Sequence, residues 1–522
     1  MTLTLSHRQT LFGFVVLMIS TGAGAHTAWH EQSIEQLHHQ LVAQQISAEA
    51  LTTHFLGRIE TLDADLASVL AIDPTALDQA RALDALLAGG SEPGALHGIP
   101  ILLKDNIETR DQPTTAGSLA LADNHTGRDA PLVARLREAG AVILGKTNLS
   151  EWANFRGERS SSGWSTLGGQ TRNPYDLTRT PCGSSSGSGA AVAAGFAPVA
   201  IGTETNGSIV CPASANGNVG IKPTVGLVSR THIVPISHTQ DTAGPMAMNV
   251  ADATRVLATM MGADPADEAT AKRPDWDAGD LLAALDGASL NGLRIGVMRG
   301  LSSFHPKVDE AYEQAISVLR ESGAEIVDNV SLEWPDGFWG DTYTVLLHEF
   351  RHTLNAYLAA LPDDALSRLD LGALIALNRE NAERALPWFG QEHFERAQET
   401  AGIESEEYLE ALARIRAATR ENGIDRLLLE HQVDLLISPT GGPAWKIDWV
   451  NGDHFGGGSA SPAAVSGYPA VTVPMGLIHG LPVGLSFFAG SHSEPTLIRA
   501  AQAFEGQRGP LPRPALSPGL TP

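Results

Sequence analysis

The stretch Val199-Ala-Ile-Gly-Thr-Glu-Thr-Asn-Gly-Ser-Ile-Val-Cys-Pro212 joins an apolar run to a glycine-containing turn. The run is short, as is typical of a buried strand. In open α/β sheets, functional sites lie beyond the carboxyl ends of such strands. A tight turn at that place can direct successive backbone N–H groups at one point and so hold an oxyanion. An ordinary strand-to-helix connection has the same pattern, so the turn alone leaves both interpretations open.

Segments on both sides of this stretch alternate between strand and helix. Apolar runs that predict strands lie at residues 98–103, 141–144, 293–298, 325–327, 433–437, 470–473 and 482–488. Helices are predicted between them, at residues 129–140, 190–194 and 309–321. This alternation predicts an α/β fold in which helices cover both faces of a central sheet. Because strands recur up to the C-terminal part, we expect residues 26–506 to form one large domain.

Three further segments complete the predicted organisation. Residues 26–90 are predicted to be helical, because apolar residues recur there at helical spacing and Ser47 can cap the second run. Residues 340–432 are predicted to be a mostly helical insertion that lies over the site and helps to wall it. Residues 507–522 are rich in proline and predict an extended C-terminal tail.

The N-terminus has the pattern of a secretory signal peptide. His7 and Arg8 precede an apolar run at residues 11–19, and Ala23-Gly-Ala25 then provides a small-residue cleavage site. The run is shorter than the roughly 18 apolar residues that indicate a membrane-spanning helix. We therefore expect residues 1–25 to be removed and the mature chain to be periplasmic or secreted. An N-terminal anchor that is never cleaved is the alternative.

The composition indicates a compact globular protein with an acidic surface. Of 522 residues, 43% are hydrophobic, and 35 Lys and Arg stand against 59 Asp and Glu, for a formal net charge of −24. Because an acidic surface repels phosphate backbones and anionic lipids, we expect no nucleic-acid partner and, after processing, no membrane partner. The two cysteines, Cys182 and Cys211, form no cluster with histidines at metal-binding spacing. In an exported chain they are compatible with a disulfide and equally with two buried thiols.

Lys104 follows the apolar run at residues 98–103 directly, so its charge must be solvated, paired or lost. Burial in a low-dielectric environment lowers the pKa of a lysine, and the neutral amine is then a base. The alternative is that Lys104 ends an edge strand and forms an ion pair with Asp105.

The stretch Pro181-Cys-Gly-Ser-Ser-Ser-Gly-Ser-Gly189 places several hydroxyl groups on a backbone that can fold tightly. One interpretation is a flexible linker, although the small-residue helix predicted at once after it favours a packed loop. A second is the G-x-S-x-G elbow of α/β-hydrolases, which would make Ser185 the nucleophile of a Ser-His-Asp esterase. That elbow should follow a strand, and residues 176–181 are a poor strand.

Together, these segments resemble the amidase-signature family. The resemblance extends from about residue 30 to residue 505 and includes the motifs at 98–106, 145–152, 183–189, 202–212 and 220–224. It implies a single large domain built on a central mixed β-sheet.

The resemblance also implies a triad of two serines and a lysine. Ser208 matches the nucleophile and Lys104 the general base. Ser184 matches the serine that bridges them, which the family holds in a cis peptide with the preceding residue. Ser185 matches a supporting serine near the triad. No cofactor and no metal is implied.

The oxyanion hole of the family matches the turn that precedes and includes the nucleophile. The groups that match are the backbone N–H groups of Thr205, Asn206, Gly207 and Ser208. Asn206 departs from the family pattern, in which Asp or Gly is usual at this position. Because only the main chain serves the oxyanion hole, we expect activity to be kept, with a changed rate or specificity.

Within the family, the contexts of residues 152–157, of residues 168–175 and of the two cysteines are most similar to bacterial peptide amidases. This similarity implies an enzyme that removes the C-terminal carboxamide of small peptide amides. We expect the chain to be a monomer. Several alternatives stay open: an amidase of the same family acting on fatty or aryl amides, the glutamine-hydrolysing subunit of a tRNA-dependent amidotransferase, the Ser-His-Asp esterase, and a binding protein on an inactive amidase scaffold. The signal peptide argues against the amidotransferase subunit, which needs cytoplasmic partners.

We predict that the mature chain begins at His26, because the cleavage site ends at Ala25. Mass spectrometry of the intact exported protein measures this directly. A mature protein that still carries Met1 would contradict the assignment to the periplasm or the medium.

Overall fold

The computed structural model describes residues 28–272, 274–302 and 304–516. The predicted signal peptide and the predicted cleavage before His26 lie outside these residues, as does the end of the predicted tail. Across the described ranges, no helix is both long and apolar enough to span a lipid bilayer.

The sheet contains all of the predicted strands. In chain order, the strands of the described residues are β1 (Val69–Ile72), β2 (Pro100–Lys104), β3 (Val142–Thr147), β4 (Trp164–Ser165), β5 (Gly169–Gln170), β6 (Val199–Glu204), β7 (Val219–Lys222), β8 (Thr242–Ala247), β9 (Arg294–Met298), β10 (Glu325–Val330), β11 (Leu435–Pro439), β12 (Ala470–Ile478) and β13 (Leu481–Phe488).

Within the described part of the chain, eleven strands form one sheet in the order β1-β3-β2-β6-β8-β7-β12-β13-β11-β9-β10, and β4 pairs with β5 separately. The pairs β3–β2, β2–β6, β11–β9 and β9–β10 are parallel, and the other pairs of the sheet are antiparallel. The predicted α/β fold with a central mixed sheet is therefore confirmed.

Helices occupy the segments between the strands. Within the described residues they are α1 (Ile34–Val42), α2 (Ala48–Leu62), α3 (Ala76–Ala88), α4 (Pro131–Glu138), α5 (Ser186–Ala193), α6 (Val210–Ala215), α7 (Val250–Met260), α8 (Ala278–Ala283), α9 (Pro306–Glu321), α10 (Phe338–Ala359), α11 (Leu371–Glu380), α12 (Ala382–Ala385), α13 (Glu392–Gln398), α14 (Glu406–Thr419), α15 (Asp425–His431), α16 (Ser461–Ser466) and α17 (Glu494–Arg508). A π-helical segment, Arg420–Ile424, joins α14 to α15.

Both faces of the sheet are covered by helices, as strand β8 shows. Successive side chains of a strand point to opposite faces. Met246 packs with Ala213 of α6 in one apolar cluster. Its neighbour Ala247 belongs to the main core, together with Val250 and Val256 of α7.

The sequence patterns did not predict β1, β7 or β8. Strand β1 lies in the segment 26–90, which was predicted to be helical, and it pairs with β3 at the sheet edge. Strand β8 contains Gly244 and Pro245, which are residues that strands disfavour. A Cβ atom at Gly244 would lie 2.0 Å from the Ile221 carbonyl oxygen, so the close approach of β7 requires glycine there.

The chain ends of the predicted domain show two further details. Ser47 caps α2 by accepting a hydrogen bond from the Ala50 N–H group, as its position predicts. Helix α17 continues to Arg508, two residues into the segment that was predicted to be tail. The Tyr175 hydroxyl then donates to the Pro512 carbonyl at 3.0 Å, which ties the tail to the domain.

Helices α10 to α15 form the mostly helical layer that was predicted at residues 340–432. A second apolar cluster joins this layer to the loop after β3, through Phe350 and Phe394 on the helices and Trp152 and Phe155 on the loop. The rings of Trp152 and Phe394 meet edge to face at 5.6 Å. The layer therefore packs next to the segment that precedes the serine-rich loop.

Candidate active site

Parallel pairing brings two of the three predicted segments together. Strands β2 and β6 are direct neighbours, with Ile101 opposite Val199 and Leu103 opposite Ile201. Because the carboxyl ends of parallel strands meet at one edge, Lys104 at the end of β2 lies beside Thr203 near the end of β6. The turn that follows β6 starts at the same place.

Lys104 is completely buried, and its amine is held by hydroxyl and carbonyl oxygens. The Nζ atom lies 2.7 Å from Ser184 Oγ, 2.8 Å from Thr203 Oγ1 and 3.2 Å from the Thr203 carbonyl oxygen. Burial lowers the pKa of Lys104 to about 7, and the charges of Asp241 and Glu204 oppose part of this shift. An amine in this setting can lose its proton near neutral pH.

The alternative ion pair between Lys104 and Asp105 is not formed. The Asp105 carboxylate faces Lys146 instead, with Oδ1 3.6 Å from Nζ, and it accepts hydrogen bonds from the hydroxyl and N–H groups of Thr115. The side chains of Lys104 and Asp105 alternate along the end of the strand and so point in different directions. Lys104 is left with uncharged partners.

Ser184 lies in the loop before α5, and the peptide bond between Gly183 and Ser184 is cis, as the family resemblance implied. The serine is fully buried and its hydroxyl accepts the hydrogen bond from Lys104. A Cβ atom at Gly183 would lie 2.3 Å from Ser150 Oγ, so the loop is packed too closely for a side chain at that position. The predicted packed loop is therefore confirmed, and the flexible linker is wrong.

Ser208 is mostly buried and lies in the turn after β6. Its carbonyl oxygen accepts a hydrogen bond from the Ser185 N–H group at 3.1 Å, which joins the turn to the start of α5. Among the described residues, none hydrogen-bonds to the Ser208 hydroxyl. The structure thus brings Ser208 next to the serine-rich loop, while the direct hydrogen bond in the triad joins Lys104 and Ser184.

The turn itself presents backbone N–H groups without partners. Within the residues that the structure describes, no acceptor faces the four N–H groups of residues 205–208. Gly207 has a positive φ of 88°, a conformation that is natural for glycine. Four unpaired donors in one turn can bind the negatively charged oxygen of a tetrahedral intermediate.

Two carboxylates hold the ends of this turn. At one end, the Thr205 hydroxyl donates to Asp241 at 2.6 Å. At the other end, Glu204 Oε2 accepts hydrogen bonds from the N–H groups of Ile209 and Val210, at 2.8 and 3.0 Å. The Asn206 side chain accepts a hydrogen bond from Ser461, so the departure from the family pattern is anchored to the start of α16.

Ser185 supports the loop and has no histidine partner. Its hydroxyl donates to the Thr203 carbonyl oxygen at 3.0 Å and accepts from the Thr203 N–H group at 3.1 Å. None of the histidines in the described ranges hydrogen-bonds to Ser185. The geometry gives the Ser-His-Asp alternative no base.

Sequence reasoning missed Thr203, Glu204, Asn106 and Asp241 as residues of the site. The first three lie inside motifs that had been singled out, and Asn106 donates to Thr203 Oγ1 at 3.0 Å. Asp241 lies just before β8, and no sequence pattern marked it. Burial raises the pKa of Asp241 to about 6.

Cys182 and Cys211 form a disulfide, which answers the question that the sequence left open. The bond joins the residue before Gly183 to helix α6, three residues after Ser208. Together with the Ser185 N–H contact, it ties the serine-rich loop to the turn from both sides.

Two cavities flank the turn. A cavity of about 590 Å³ lies against Thr203, Thr205 and Asp241 and reaches helix α10. A second cavity of about 500 Å³ lies against Gly183, Asn206 and Gly207 and reaches the loop between β11 and α16. Both volumes are in the range of small-molecule binding sites.

Comparisons with known proteins identify the family. Residues 50–498 match the family model described as Amidase. An Arabidopsis thaliana protein described as a probable amidase is 39% identical over 91% of this chain and 90% of its own length. A glutamyl-tRNA(Gln) amidotransferase subunit from Acidothermus cellulolyticus is 36% identical, over 89% of this chain and 92% of its own. The crystal structure of a Stenotrophomonas maltophilia peptide amidase is similar with a TM-score of 0.89 and 47% identity, covering 93% of this chain and 99% of that one.

The lowered pKa of Lys104 predicts the pH dependence of amide hydrolysis. Only the neutral amine accepts a proton, so the rate should fall as the pH decreases through about 7. The Asp241 carboxylate favours the charged amine. Asp241→Asn should therefore lower the pKa of Lys104 and move the falling limb to lower pH by roughly one unit.

The matched control is Asp252→Asn, because burial also raises the pKa of Asp252 to about 6 but this carboxyl holds the N-terminus of α1. In that variant, the rate should fall on the acid side at the same pH as in the unaltered protein. Two results would contradict the assignment of Lys104 as the base. One is an acid-side fall in rate that does not shift in Asp241→Asn, and the other is a fall that disappears when a histidine is replaced.

Proposed function

The chain belongs to the amidase-signature family, and on that premise we propose that it removes the C-terminal carboxamide of peptides to give the free acid and ammonia. As a family member it is a hydrolase that acts on amides. In the proposed reaction, Ser208 is the nucleophile, Ser184 relays protons and Lys104 is the general base.

The contact between Lys104 and Ser184 is the observation that carries the proposal. A fully buried lysine whose Nζ lies 2.7 Å from a serine hydroxyl, and whose pKa burial lowers to about 7, is substantially neutral at neutral pH. Histidine, the usual base of serine hydrolases, makes no hydrogen bond to Ser184 or Ser208 within the described residues. Lysine is thus the base that the geometry supports.

The proposed reaction begins with two proton transfers. Neutral Lys104 accepts the proton of Ser184 as Ser184 accepts that of Ser208, and Ser208 Oγ attacks the amide carbonyl. A serine suits the middle position because a hydroxyl donates and accepts at once. The negative charge develops on the carbonyl oxygen, which the free N–H groups of residues 205–208 stabilise.

The second half of the reaction returns the enzyme to its starting state. The C–N bond breaks, and the protonated lysine returns its proton through Ser184 to the leaving nitrogen, which departs as ammonia. Water then attacks the ester carbonyl at Ser208 with the same relay as its base; the bond between the carbonyl carbon and Ser208 Oγ breaks, and the relay returns the proton to Ser208. The sum is one amide and one water converted to one acid and one ammonia.

Three considerations support a peptide amide as the substrate. The chain is 47% identical to the Stenotrophomonas maltophilia peptide amidase, compared with 36% to the amidotransferase subunit. Ammonia needs little room, so only the acyl side of the substrate requires a large cavity. The proposed export of the chain, in a periplasmic or secreted form, would bring it into contact with peptides from outside the cell.

Substitution of the three serines separates the proposed triad from the elbow alternative. Ser208→Ala and Ser184→Ala should each lower kcat by roughly 10³-fold or more, since the nucleophile or the relay is lost. Ser185→Ala should reduce it less. Ser188→Ala is the control, because its buried hydroxyl contacts Thr147 and the Ile201 carbonyl group. Loss of activity in Ser185→Ala together with full activity in Ser208→Ala would support the alternative in which Ser185 is the nucleophile.

The product of a peptide amide tests the substrate class. We expect a mass increase of about one dalton with equimolar ammonia, because the acyl-enzyme exchanges nitrogen for oxygen. The panel should also contain an oleoyl amide, an aryl amide and glutamine. Internal peptide fragments, or rapid turnover of fatty amides without reaction of peptide amides, would overturn the proposal.

A further inference from the structure

We propose that the cavity of about 500 Å³ beside the turn binds the peptide, and that an aromatic rim around it binds apolar side chains upstream of the carboxamide. The aromatic rim consists of Trp445 and Phe455, which line the cavity, of Trp449, two residues before the lining residue Asn451, and of Trp388, which stacks on Trp449. This inference rests on the proposed function and names the peptides that the site prefers.

The cavity borders the proposed reaction centre. Its lining includes Gly183, next to Ser184, and the turn residues Asn206 and Gly207, next to Ser208. Trp445 and Phe455 line the same cavity on the side of the loop between β11 and α16. One cavity therefore joins the neighbours of the proposed triad to two rings of the rim.

The rim leaves large apolar surfaces in solvent. Trp388 is 44% exposed and Phe455 57% exposed. Among the large hydrophobic side chains that are exposed in the described residues, the aromatic ones are Trp339, Trp388 and Phe455, so two of these three belong to the rim. Val450, 79% exposed, adds an aliphatic side chain next to Trp449. Apolar surface gathered in this way marks a binding site.

The indole N–H groups of two rim residues are satisfied inside the protein. The Trp445 indole N–H donates to Asp453 at 3.0 Å, and the Trp449 indole N–H donates to Gln170 at 2.9 Å. The indole groups of Trp388 and Trp449 stack at 4.8 Å, and the ring of Phe455 meets Trp445 edge to face at 5.7 Å. Trp445, Trp449 and Phe455 therefore offer ring faces and edges, which suit apolar side chains.

The loop between β11 and α16, which carries Trp445, Trp449 and Phe455, is held in place before any ligand binds. Asp453 accepts hydrogen bonds from the N–H and hydroxyl groups of Ser162 as well as from Trp445. Asp448 accepts from the N–H groups of Val450 and Asn451, closing the turn that follows Trp449. A pre-organised surface loses little entropy on binding, so its rings can contribute to affinity.

The charge of the chain favours a peptide over a lipid surface. The formal net charge is −24, which repels anionic membranes. Charges of both signs line the cavity: Arg159, Glu158, which is paired with Arg396, and Asp453. The occupant is therefore a peptide amide with an aromatic or large aliphatic residue close to its C-terminus, and its apolar side chain rather than its charge is what the rim selects.

The test compares two peptide amides that differ in one residue near the carboxamide, glycine or phenylalanine. The intact enzyme should prefer the phenylalanine peptide in kcat/KM. Phe455→Ala and Trp388→Ala should each raise KM for that peptide by about tenfold and leave kcat nearly unchanged, with a much smaller effect on KM for the glycine peptide. Trp339→Ala is the matched control, since this exposed tryptophan packs on Trp334 and Phe338 at the start of α10. The Trp339→Ala variant should leave KM and kcat unchanged for both peptides.

Binding provides a second measurement that does not depend on turnover. The Ser208→Ala variant should show a change in tryptophan fluorescence with the phenylalanine peptide amide, and this change should weaken when Trp388→Ala is added. Equal kinetics for the two peptides, or equal effects of Trp339→Ala and Phe455→Ala, would overturn the inference while the proposed function stands. Rim variants that abolish association with neutral phosphatidylcholine vesicles, without changing peptide kinetics, would overturn it in favour of a lipid surface. Absence of ammonia from every peptide amide would instead refute the proposed function.

Discussion

The exclusion of water from the Lys104 amine is the constraint on which the rest of the site depends. Parallel pairing of β2 with β6 buries the residue at the edge of the sheet, where Thr203 and Ser184 supply its hydrogen-bond acceptors. Within the described residues, no carboxylate hydrogen-bonds to Nζ, so the charged form gains little to offset its desolvation. The neutral amine is stabilised by the same contacts that hold the serine-rich loop.

Comparison with two other buried lysines shows what is particular to Lys104. Lys146 is also fully buried, but it lies 3.6 Å from the Asp105 carboxylate. Burial lowers the pKa of Lys222 to about 8, yet its amine donates to the carbonyl oxygens of Pro223 and Tyr468. A lowered pKa is therefore common to buried lysines in this chain. Lys104 differs from the other two because its amine contacts a serine hydroxyl, which can transfer a proton.

In the turn after β6, side chains fix the ends and the main chain provides the free N–H groups. Carboxylates bind its ends, through the Thr205 hydroxyl and through the N–H groups that follow Ser208. The N–H groups between those ends stay free. Unpaired backbone donors are costly away from water, and the cavities on both sides give them access to solvent or substrate. The disulfide and the Ser185 contact then tie this turn to the serine-rich loop.

Local patterns in the sequence were sufficient to predict the α/β class, the strand before Lys104 and the turn around Ser208, because hydrophobic periodicity and glycine content act over a few residues. The family resemblance added the roles of the two serines and the lysine. Contacts between distant segments decided the rest: the strand at Gly244 and Pro245, the disulfide, Asp241 at the turn and the aromatic rim at the cavity. Each of these depends on which segments pack side by side, and that is determined by long-range pairing in the sheet, which no local pattern encodes.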